Sequence, residues 1–390
     1  MIELADKGLC SGCAACRAVC PKSAIVMQPD LEGFLYPVID TKACISCGKC
    51  RSVCPVLNRP QPREPQAVYA AIAKDTDLRL ESSSGGVFSL LARQTLAKGG
   101  LVFGAAWDYD NYAVRIISVR DESGLAALRG SKYVQADVGN AYVQAREALQ
   151  KGINVLYSGT PCQIAALNRV LGKPYANLLT VEVICHATPS PLAFRKYVAQ
   201  RERAAGAKIT RIFSRSKNCS WKRYAMSLSF HDHDIAYLKP WSEDSFLRGF
   251  LFELYNRPSC HSCSVRELRS GADLTLADYW NVQQKFPGMD DDKGTSAVLV
   301  NTEKGATAFA AMRPGCTVAV SDFADIRRTN PAVYRSSPPH LRRARFFAGI
   351  AQTDNFDALV THLLRPTLKM RIRRLGGRIL RKLGFRRPVA

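Results

Sequence analysis

The fold of the first part of this chain is decided by the stretch Cys10-Ser-Gly-Cys13-Ala-Ala-Cys16-Arg-Ala-Val-Cys20-Pro21. The stretch recurs 34 positions later as Cys44-Ile-Ser-Cys47-Gly-Lys-Cys50-Arg-Ser-Val-Cys54-Pro55. Seven of the twelve positions are identical, and the four cysteines of each run have the same spacing. Eight thiols this close together in sequence predict a region that carries single electrons.

The spacing C-x2-C-x2-C-x3-C-P is typical of domains that hold two 4Fe–4S clusters. The first three cysteines of a run wrap one cube, and the fourth, on a short helical turn, reaches the other cube. We therefore expect two sets of ligands that each combine both runs. The first set is Cys10, Cys13, Cys16 and Cys54, and the second set is Cys44, Cys47, Cys50 and Cys20. The residues between the runs, 23–27 and 34–39, predict a pair of strands.

Zinc and disulfides are the alternatives for these eight cysteines. Structural zinc sites usually show two C-x2-C pairs separated by roughly 12–20 residues, unlike four cysteines in one short run. A disulfide scaffold needs a secreted chain, and the first residues contain neither a basic region nor a long apolar stretch, so we expect no signal peptide. Both alternatives are therefore disfavoured.

The composition indicates a globular protein in a reducing compartment. Hydrophobic residues make up 47% of the chain, and no run of 18 apolar residues predicts a membrane-spanning helix. Fourteen cysteines with cluster spacing indicate that thiols stay reduced, so we predict a cytoplasmic location. The net charge of +22 counts every cysteine as neutral, and ten of the cations lie between Arg365 and Ala390. Nucleic-acid binding is not predicted, because the cations are not interleaved with aromatic residues.

The chain divides into four segments. Residues 1–57 are expected to form an α+β ferredoxin-like iron–sulfur domain, and residues 58–66 a proline-rich linker. Strands and helices then alternate, which predicts an α/β domain over 67–330 with a parallel sheet covered on both faces. Within it, the residues from about 207 to 240 alternate like an antiparallel insertion. Residues 331–390 are expected to be a basic C-terminal extension.

The end of that extension predicts an amphipathic helix. Apolar residues recur at helical spacing with arginines between them, at Leu368, Ile372, Leu375, Ile379 and Leu383. Such helices lie on anionic membrane surfaces or bind acidic partners. We therefore expect either peripheral association with the inner face of a membrane or a solvated tail.

A second group of cysteines lies in the α/β domain. Cys162 follows Thr160 and Pro161, which suit the N-cap and first position of a helix, and the helix N-terminus is expected to lower the pKa of its thiol. Cys185 precedes His186 at the carboxyl end of an apolar strand, the edge where open α/β sheets bind ligands.

A C-x2-C pair at Cys260 and Cys263 completes a possible third set of ligands: Cys162, Cys185, Cys260 and Cys263. These four thiols suit a third 4Fe–4S cluster. A structural zinc, a redox dithiol at residues 260 and 263, and ordinary buried cysteines are the alternatives. Cys219 and Cys316 are expected to be unligated.

Two short segments suit a cofactor pocket. Ser84-Gly85-Gly86 precedes a helix, and backbone N–H groups at a helix start bind phosphate, although a helix start without a ligand fits equally well. The segment from Ser131 to Gln135 combines a cation, an aromatic ring, and hydroxyl and amide groups. This combination suits a flavin and also an ordinary surface strand.

In combination, these elements resemble the coenzyme F-420 hydrogenase/dehydrogenase beta-subunit family, in the version with a fused N-terminal two-cluster ferredoxin. The resemblance rests on stretches that occur in family order: Ser84-Gly-Gly86, Gly130-Ser-Lys-Tyr-Val-Gln135, Ser158-Gly-Thr-Pro-Cys-Gln163, Val183-Ile-Cys-His186 with Pro189-Ser190, Cys260-His-Ser-Cys263, Asp273-Leu-Thr-Leu-Ala-Asp278-Tyr-Trp280 and Asp292-Lys-Gly-Thr-Ser296. The family often has glycine where this chain has Ala187, Ala277 and Asn281, and the larger side chains fill space near the implied site.

The resemblance implies an FAD-binding α/β domain with its own 4Fe–4S cluster, held by the third set. It also implies flavin-binding walls formed by Ser84, Gly85, Gly86, Ser131, Lys132, Tyr133, Gln135, Gly159, Thr160, Pro161 and Gln163. His186 is the expected proton donor to flavin or substrate, and a hydrogen bond to the cluster is its alternative role.

We therefore predict an iron–sulfur flavoprotein oxidoreductase that couples one-electron flow through clusters to hydride chemistry at FAD. Reduced ferredoxin or a deazaflavin of the F-420 type is the expected redox partner, and the substrate is an unidentified small molecule. Some similar proteins are associated with polysaccharide biosynthesis, which is a further expectation. The alternative function is an electron-relay subunit of a larger redox complex, with no substrate of its own.

Overall fold

The structure is a computed structural model, and it describes residues 3–231 and 233–366. The N-terminal part contains two short helices and two strands: α1 (Ala15–Ala18), β1 (Ile25–Pro29), β2 (Leu35–Ile39) and α2 (Lys49–Ser52). β1 and β2 pair in antiparallel register, with Ile25 opposite Ile39. The strand pair that the residues between the cysteine runs predict is therefore confirmed. Each helix begins within a cysteine run, so the two runs are related in structure as well as in sequence.

Among the described residues, twelve further strands form two sheets. In chain order they are β3 (Ala67–Ala73), β4 (Leu101–Asp108), β5 (Ala113–Val119), β6 (Ala136–Asp137), β7 (Val155–Gly159), β8 (Leu178–Val183), β9 (Ile209–Ser216), β10 (Ala225–Phe230), β11 (His233–Pro240), β12 (Leu274–Asp278), β13 (Ser296–Val300) and β14 (Cys316–Ser321).

The large sheet has nine strands in the order β14-β3-β13-β12-β8-β7-β4-β5-β6. Its centre is parallel, because β4 pairs with β7, β7 with β8, and β8 with β12 in parallel register. β13 and β3 extend it with antiparallel pairs on one side, and β5 does so on the other. The sheet is therefore mixed, with a parallel core in which β7 and β8 are the apolar strands that the sequence predicts. The carboxyl ends of β7, β8 and β12 meet at one edge.

Eleven α-helices follow the N-terminal pair in the part of the chain that the structure describes. They are α3 (Thr76–Glu81), α4 (Val87–Ala97), α5 (Glu122–Leu128), α6 (Ala141–Gln150), α7 (Pro161–Leu171), α8 (Pro191–Ala205), α9 (Ser245–Leu251), α10 (Glu303–Met312), α11 (Phe323–Thr329), α12 (Arg343–Ile350) and α13 (Phe356–Leu364). Short 3-10 helices lie at Pro258–Ser262, Val282–Gln284, Pro287–Met289, Arg313–Gly315 and Pro331–Val333. No helix among the described residues is both long and apolar enough to cross a bilayer.

Helices cover both faces of the large sheet. α6 and α7 form a core on one face with side chains such as Phe103 and Tyr157. α4, α5 and α10 form a core on the other face, around Leu156 and Val298. The strands are hydrophobic on both sides because neither face meets water, as expected for a covered parallel sheet. Ala14 and Ala15 belong to the first of these cores, so the N-terminal part docks on the α6–α7 face.

The predicted antiparallel insertion is a three-stranded sheet in the order β11-β10-β9. It packs with α8 and α9 in a core rich in aromatic rings. α12 and α13, which lie in the segment expected to be an extension, place Phe346, Ile350 and Phe356 in the same core. The predicted amphipathic helix from Leu368 onward lies outside the described residues.

Candidate redox site

The structure places the thiols of the first set near one another across the two runs. Burial raises the pKa of Cys16 to about 12, and the charges of Cys10 and Cys54 contribute to this rise. Burial also raises the pKa of Cys10, with a contribution from Cys54. Cys54 therefore lies near cysteines of the other run, as does Cys50, whose charge also acts on Cys16; the crossed assignment of ligands stays a prediction.

The second set lines a hollow of about 350 Å³ at the outer end of the N-terminal part. Cys20 from the first run faces this hollow together with Cys44, Cys47 and Cys50. Cys47 is exposed to solvent, whereas Cys50 is buried. A cluster held here would therefore be the one nearest to the protein surface.

The third set surrounds a cleft of about 700 Å³ at the carboxyl edge of the parallel strands. All four of its cysteines line this cleft, although they come from three separate parts of the chain. Cys162 follows β7, Cys185 follows β8, and the other two lie on and just after the 3-10 helix Pro258–Ser262. The fold thus assembles four thiols that are up to about a hundred residues apart in sequence.

The start of α7 positions Cys162 as the sequence predicts. Thr160 is the N-cap and Pro161 the first helical residue. Gln163 accepts a hydrogen bond from the Thr160 N–H with its Oε1 at 3.0 Å, and the Thr160 hydroxyl lies 3.2 Å from Cys162 Sγ. This side-chain capping fixes the first turn and therefore the direction of the thiol.

The prediction that the helix start lowers the pKa of the Cys162 thiol is wrong. Burial raises the pKa of Cys162, and this effect outweighs the lowering by the hydrogen bond from Thr160. Burial likewise raises the pKa of Cys260 to about 12. A buried thiolate without a counter-charge is costly, so the helix N-terminus alone does not make Cys162 a reactive thiolate.

Two of the three sets gather their thiols around one space. The second set lines one hollow and the third set lines the cleft, each with four cysteines. Four cysteines around one space suit a cube of iron and sulfide. Within residues 3–231 and 233–366, no group of three or more histidine, cysteine or acidic side chains is spaced to hold one metal ion.

The first and third sets are neighbours. Cys13 and Cys162 lie close enough for the charge of Cys162 to raise the pKa of the buried Cys13 thiol. Tyr142 lies between them, and its hydroxyl is 3.1 Å from the carbonyl oxygens of both Cys13 and Gln163. The three sets therefore form a series, with the second outermost, the first in the middle and the third inside the α/β body.

The residues implied as flavin walls divide into two groups. Ser131 donates its N–H to Ser83 Oγ at 2.8 Å, so the turn before α4 and the segment that begins at Ser131 lie together. Gln135 instead faces the N-terminal part, where it accepts a hydrogen bond from Arg257 at 2.9 Å. Residues 159–163 lie beside the first and third sets. The structure thus brings Ser84–Gly86 near Ser131–Tyr133 and places the remaining residues near the clusters.

Two of these residues have structural roles. A Cβ on Gly85 would lie 2.3 Å from the Ala71 carbonyl oxygen and 2.7 Å from the Ser296 nitrogen, so glycine is required there by the packing of the chain itself. The Lys132 ammonium donates to the carbonyls of Ala127, Arg129 and Gly130. Lys132 therefore closes the turn after α5.

Sequence reasoning missed a buried group of cationic and aromatic side chains at the same sheet edge. Arg215 on β9 pairs with Asp278 at 2.6 Å, and its guanidinium lies over the rings of Tyr224 and Trp280. Trp280 stacks on Trp221 with ring centroids 4.9 Å apart. In the sequence, Asp278-Tyr-Trp280 at the end of a strand could have indicated this group. Arg215 could not, because it is one of many alternating polar residues in the insertion.

His186 lies between this group and the third set. Its Nε2 is 2.8 Å from Glu253 Oε1, and its ring packs edge-on against Phe250. Phe250 in turn packs on Tyr133, with ring centroids 4.8 Å apart. Glu253 is buried, and Asn256 Nδ2 donates a hydrogen bond to its Oε2 at 2.5 Å, which holds the carboxylate in place.

Two family models match separate parts of the chain. The model for the carboxyl-terminal part of the coenzyme F420 hydrogenase/dehydrogenase beta subunit matches residues 153–326, and a 4Fe-4S dicluster domain matches residues 9–58. The chain thus combines a dicluster domain with a part that is similar to the carboxyl-terminal part of the F420 hydrogenase/dehydrogenase beta subunit. It is an iron–sulfur redox protein of an oxidoreductase family, and its first two cluster sites lie in a dicluster domain.

The residues that match the beta-subunit model include the third set, His186, Arg215 and Trp280. Among solved structures, the F420-reducing [NiFe] hydrogenase complex from Methanosarcina barkeri, studied by xenon derivatization, is similar at 15% identity and a TM-score of 0.45. The similarity covers 77% of this chain and 91% of that one. No curated protein matches this chain.

Proposed function

We propose that this protein carries single electrons from the second cluster, through the first, to a third cluster in the α/β body. The observation that carries the proposal is the Tyr142 hydroxyl, which lies 3.1 Å from the carbonyl oxygens of both Cys13 in the first set and Gln163 beside Cys162 of the third. Electron transfer between clusters needs short separations, and this bridge supports a direct path from the N-terminal domain into the body. The serial order of the three sets supports the same path.

The electrons are proposed to drive hydride chemistry at FAD bound at the carboxyl edge of the parallel strands. A bound flavin would exchange paired electrons for single ones, which clusters cannot do. The residues proposed to hold it are Ser84, Ser131 and Tyr133, together with the newly found Arg215 and Trp280. Aromatic faces suit the planar ring system, and Arg215 would stabilise negative charge on it. Gln135 and residues 159–163 fit the cluster sites better.

His186 is proposed as the group that holds and donates the proton for this reaction. Its contact with Glu253, 2.8 Å between Nε2 and Oε1, would orient the ring. The neighbouring Cys185 links the same segment to the third set, so proton and electron arrive at one place.

Electrons are proposed to enter at the second cluster from a one-electron carrier such as reduced ferredoxin. The exposure of Cys47 supports this entry point. Lys22 and Lys49 line the rim of the same hollow and are exposed, which suits an acidic partner. A deazaflavin partner would act instead at the sheet edge. A link to polysaccharide biosynthesis stays a prediction that rests on the resemblance alone.

A second candidate function is a relay subunit without a substrate of its own. The matching family model is named after the beta subunit of a hydrogenase or dehydrogenase, which favours this alternative. Turnover of an added hydride donor by the isolated chain would support the enzyme, whereas reduction of the clusters without such turnover would support the relay subunit.

The cofactor content tests the proposal directly. After anaerobic reconstitution we expect about twelve irons per chain, four for each cluster, and one flavin. Cys162→Ser should lose about four irons, whereas Cys219→Ser should lose none, because Cys219 is exposed and outside all three sets. Equal iron content in wild type and Cys162→Ser would refute the third cluster. Full iron without flavin would refute the flavoenzyme and leave the relay.

A further inference from the structure

Two buried arginines lie beside the thiols, and neither is paired with a carboxylate among the described residues. Arg257 is 1% exposed and Arg266 is 9% exposed. Burying a cation without a counter-ion costs several kcal/mol, so such groups are kept where an anion is present. The nearest candidates for that anion are clusters held by thiolates, which carry net negative charge.

Each of the three side-chain nitrogens of Arg257 donates one hydrogen bond at the junction of the N-terminal domain and the body. It donates to the Cys10 carbonyl at 2.8 Å, to Gln135 Oε1 at 2.9 Å and to the Leu35 carbonyl at 3.0 Å. The faces of the rings of Tyr36 and Phe34 cover the guanidinium. The position of its charge is therefore fixed.

The charge of Arg257 reaches two of the three sets. Arg257 donates to the Cys10 carbonyl in the first set, and its side chain lines the cleft that the thiols of the third set surround. Arg266 donates to the Cys185 carbonyl at 2.8 Å and lines the same cleft, so it lies beside the third set.

The second set has no such neighbour among the described residues. The described residues that line its hollow include two lysines and no arginine. The cations at its rim, Lys22 and Lys49, are exposed, so water and salt screen them. Among the described residues, the second set therefore has no buried arginine beside it, the first set has Arg257, and the third set has both Arg257 and Arg266.

We propose that Arg257 and Arg266 form a stepwise electrostatic gradient that directs electrons inward, from the exposed second cluster to the third. The inference rests on the proposed three clusters and supplies the direction of flow. A fixed cation stabilises the reduced, more negative state of a cluster and so raises its reduction potential. In each step one electron leaves a reduced cluster and reduces the next, and no bond or proton changes.

The experiment is a potentiometric titration of the reconstituted full chain, followed by the electron paramagnetic resonance signal of each cluster. Arg257→Gln should make the first and third clusters harder to reduce, with a reduced-to-oxidised ratio about tenfold lower at a fixed potential, or about 59 mV for one electron. The second cluster should not change. Arg266→Gln should affect the third cluster alone.

Two variants distinguish the effect of the Arg257 charge on the clusters from its effect on the docking of the N-terminal domain. Arg257→Lys keeps the positive charge and loses the planar guanidinium with its several donors. The reduction potentials of this variant should therefore lie nearer to wild type than those of Arg257→Gln. Arg343→Gln is the matched control, because Arg343 also joins the two parts, through Glu32, but lies beside none of the affected thiols. A shift in Arg343→Gln equal to that in Arg257→Gln, or equal shifts of all three clusters, would overturn the inference.

The order of potentials in the wild-type protein is a second test that needs no arginine variant to fold. Signals are assigned by their loss in Cys20→Ser for the second cluster and Cys162→Ser for the third. We expect the third cluster to be the easiest to reduce and the second the hardest. With about twelve irons bound, the reverse order contradicts only the gradient, whereas fewer irons contradict the three-cluster proposal itself.

Discussion

At the scale of single residues, the two cysteine runs differ where they meet the rest of the molecule. Gly12 and Ser46 occupy the same position of the repeat, and both have positive φ, at 66° and 55°. A Cβ on Gly12 would lie 2.7 Å from the Leu35 carbonyl oxygen and 2.8 Å from Arg257 Nη1. The inner run therefore needs glycine because the body packs against it, and the outer run tolerates serine.

Gly12→Ala should destabilise the docked N-terminal domain more than Gly48→Ala does. Gly48 also has a positive φ, 74°, but an added Cβ there meets nothing within 4 Å. Both changes carry the backbone penalty of about 1–2 kcal/mol. Gly12→Ala adds a steric cost of about 1–3 kcal/mol. The measurement is the guanidinium concentration at which cluster absorbance is lost; equal concentrations for the two variants would contradict the packing argument.

Glu182 gives the cleft of the third set a pH dependence. It is 2% exposed, and burial raises the pKa of its carboxyl to about 7. Its Oε1 accepts a hydrogen bond from Thr275 at 2.8 Å, and its Oε2 has no protein partner among the described residues. The folded protein therefore binds more protons than the unfolded chain between about pH 4.5 and about 7, and this group's contribution to stability falls as the pH rises through that window.

Glu182→Gln should remove this dependence, because the amide oxygen can still accept from Thr275. The variant and wild type should have similar stability near pH 5, and the variant should be more stable at pH 8, by at most about 3 kcal/mol. Denaturation midpoints at the two pH values provide the measurement. Glu64→Gln, at an exposed position in the linker, is the control and should show no pH-dependent gap. A difference in stability between Glu182→Gln and wild type that shrinks as the pH rises would contradict the prediction.

At the scale of elements, helix starts were predictable and the last two helices were not. The start of α7 follows from Thr160, Pro161 and Gln163, because capping is a local interaction between neighbouring residues. α12 begins at Arg343 within an arginine-rich segment, which reads as a solvated extension. In the structure, Arg343 binds Glu32, and Arg342 donates to the Leu363 carbonyl at 2.6 Å. Because these partners are distant in sequence, only the tertiary structure shows that the basic segment containing α12 packs as part of the body.

Phe346→Ala should therefore destabilise the body although it lies in the basic C-terminal segment. Phe346 is fully buried, and its ring lies 4.8 Å from that of Tyr255. Removing a buried phenylalanine costs about 3–5 kcal/mol. Leu341→Ala is the control, since Leu341 is fully exposed and should change stability little. Thermal unfolding followed by circular dichroism distinguishes them; equal midpoints would show that α12 contributes little to the core.

At the scale of the whole molecule, the proposed electron entry and the docked face lie on different sides of the N-terminal domain. Ala14 and Ala15 pack against α6 and α7, whereas the hollow of the second set opens beside the exposed Cys47. One cluster is thus presented to a partner while its neighbour is held against the body.

Charge reversal at this outer face should slow reduction by an acidic ferredoxin. We expect Lys22→Glu with Lys49→Glu to lower the rate on the order of tenfold at low ionic strength and to weaken its salt dependence, because electrostatic steering is lost. Lys98→Glu is the control, since Lys98 is exposed at the end of α4, on the opposite face of the sheet. Stopped-flow reduction measures the rate, and an equal effect of Lys98→Glu would indicate net charge alone.

The sequence by itself determined two cluster sites, the parallel core of the sheet and the resemblance to the F420 hydrogenase/dehydrogenase beta subunit, because each depends on short-range spacing. Cysteines a few residues apart, a capped helix start and continuous apolar strands act over distances that the chain keeps in any fold. The tertiary structure decided what depends on distant residues: the cleft that joins Cys162 to Cys260, the pairing of Arg215 with Asp278, and the buried charge of Arg257. It also reversed the expected pKa shift of Cys162, because burial acts through the whole surroundings of a thiol and a helix start acts only locally.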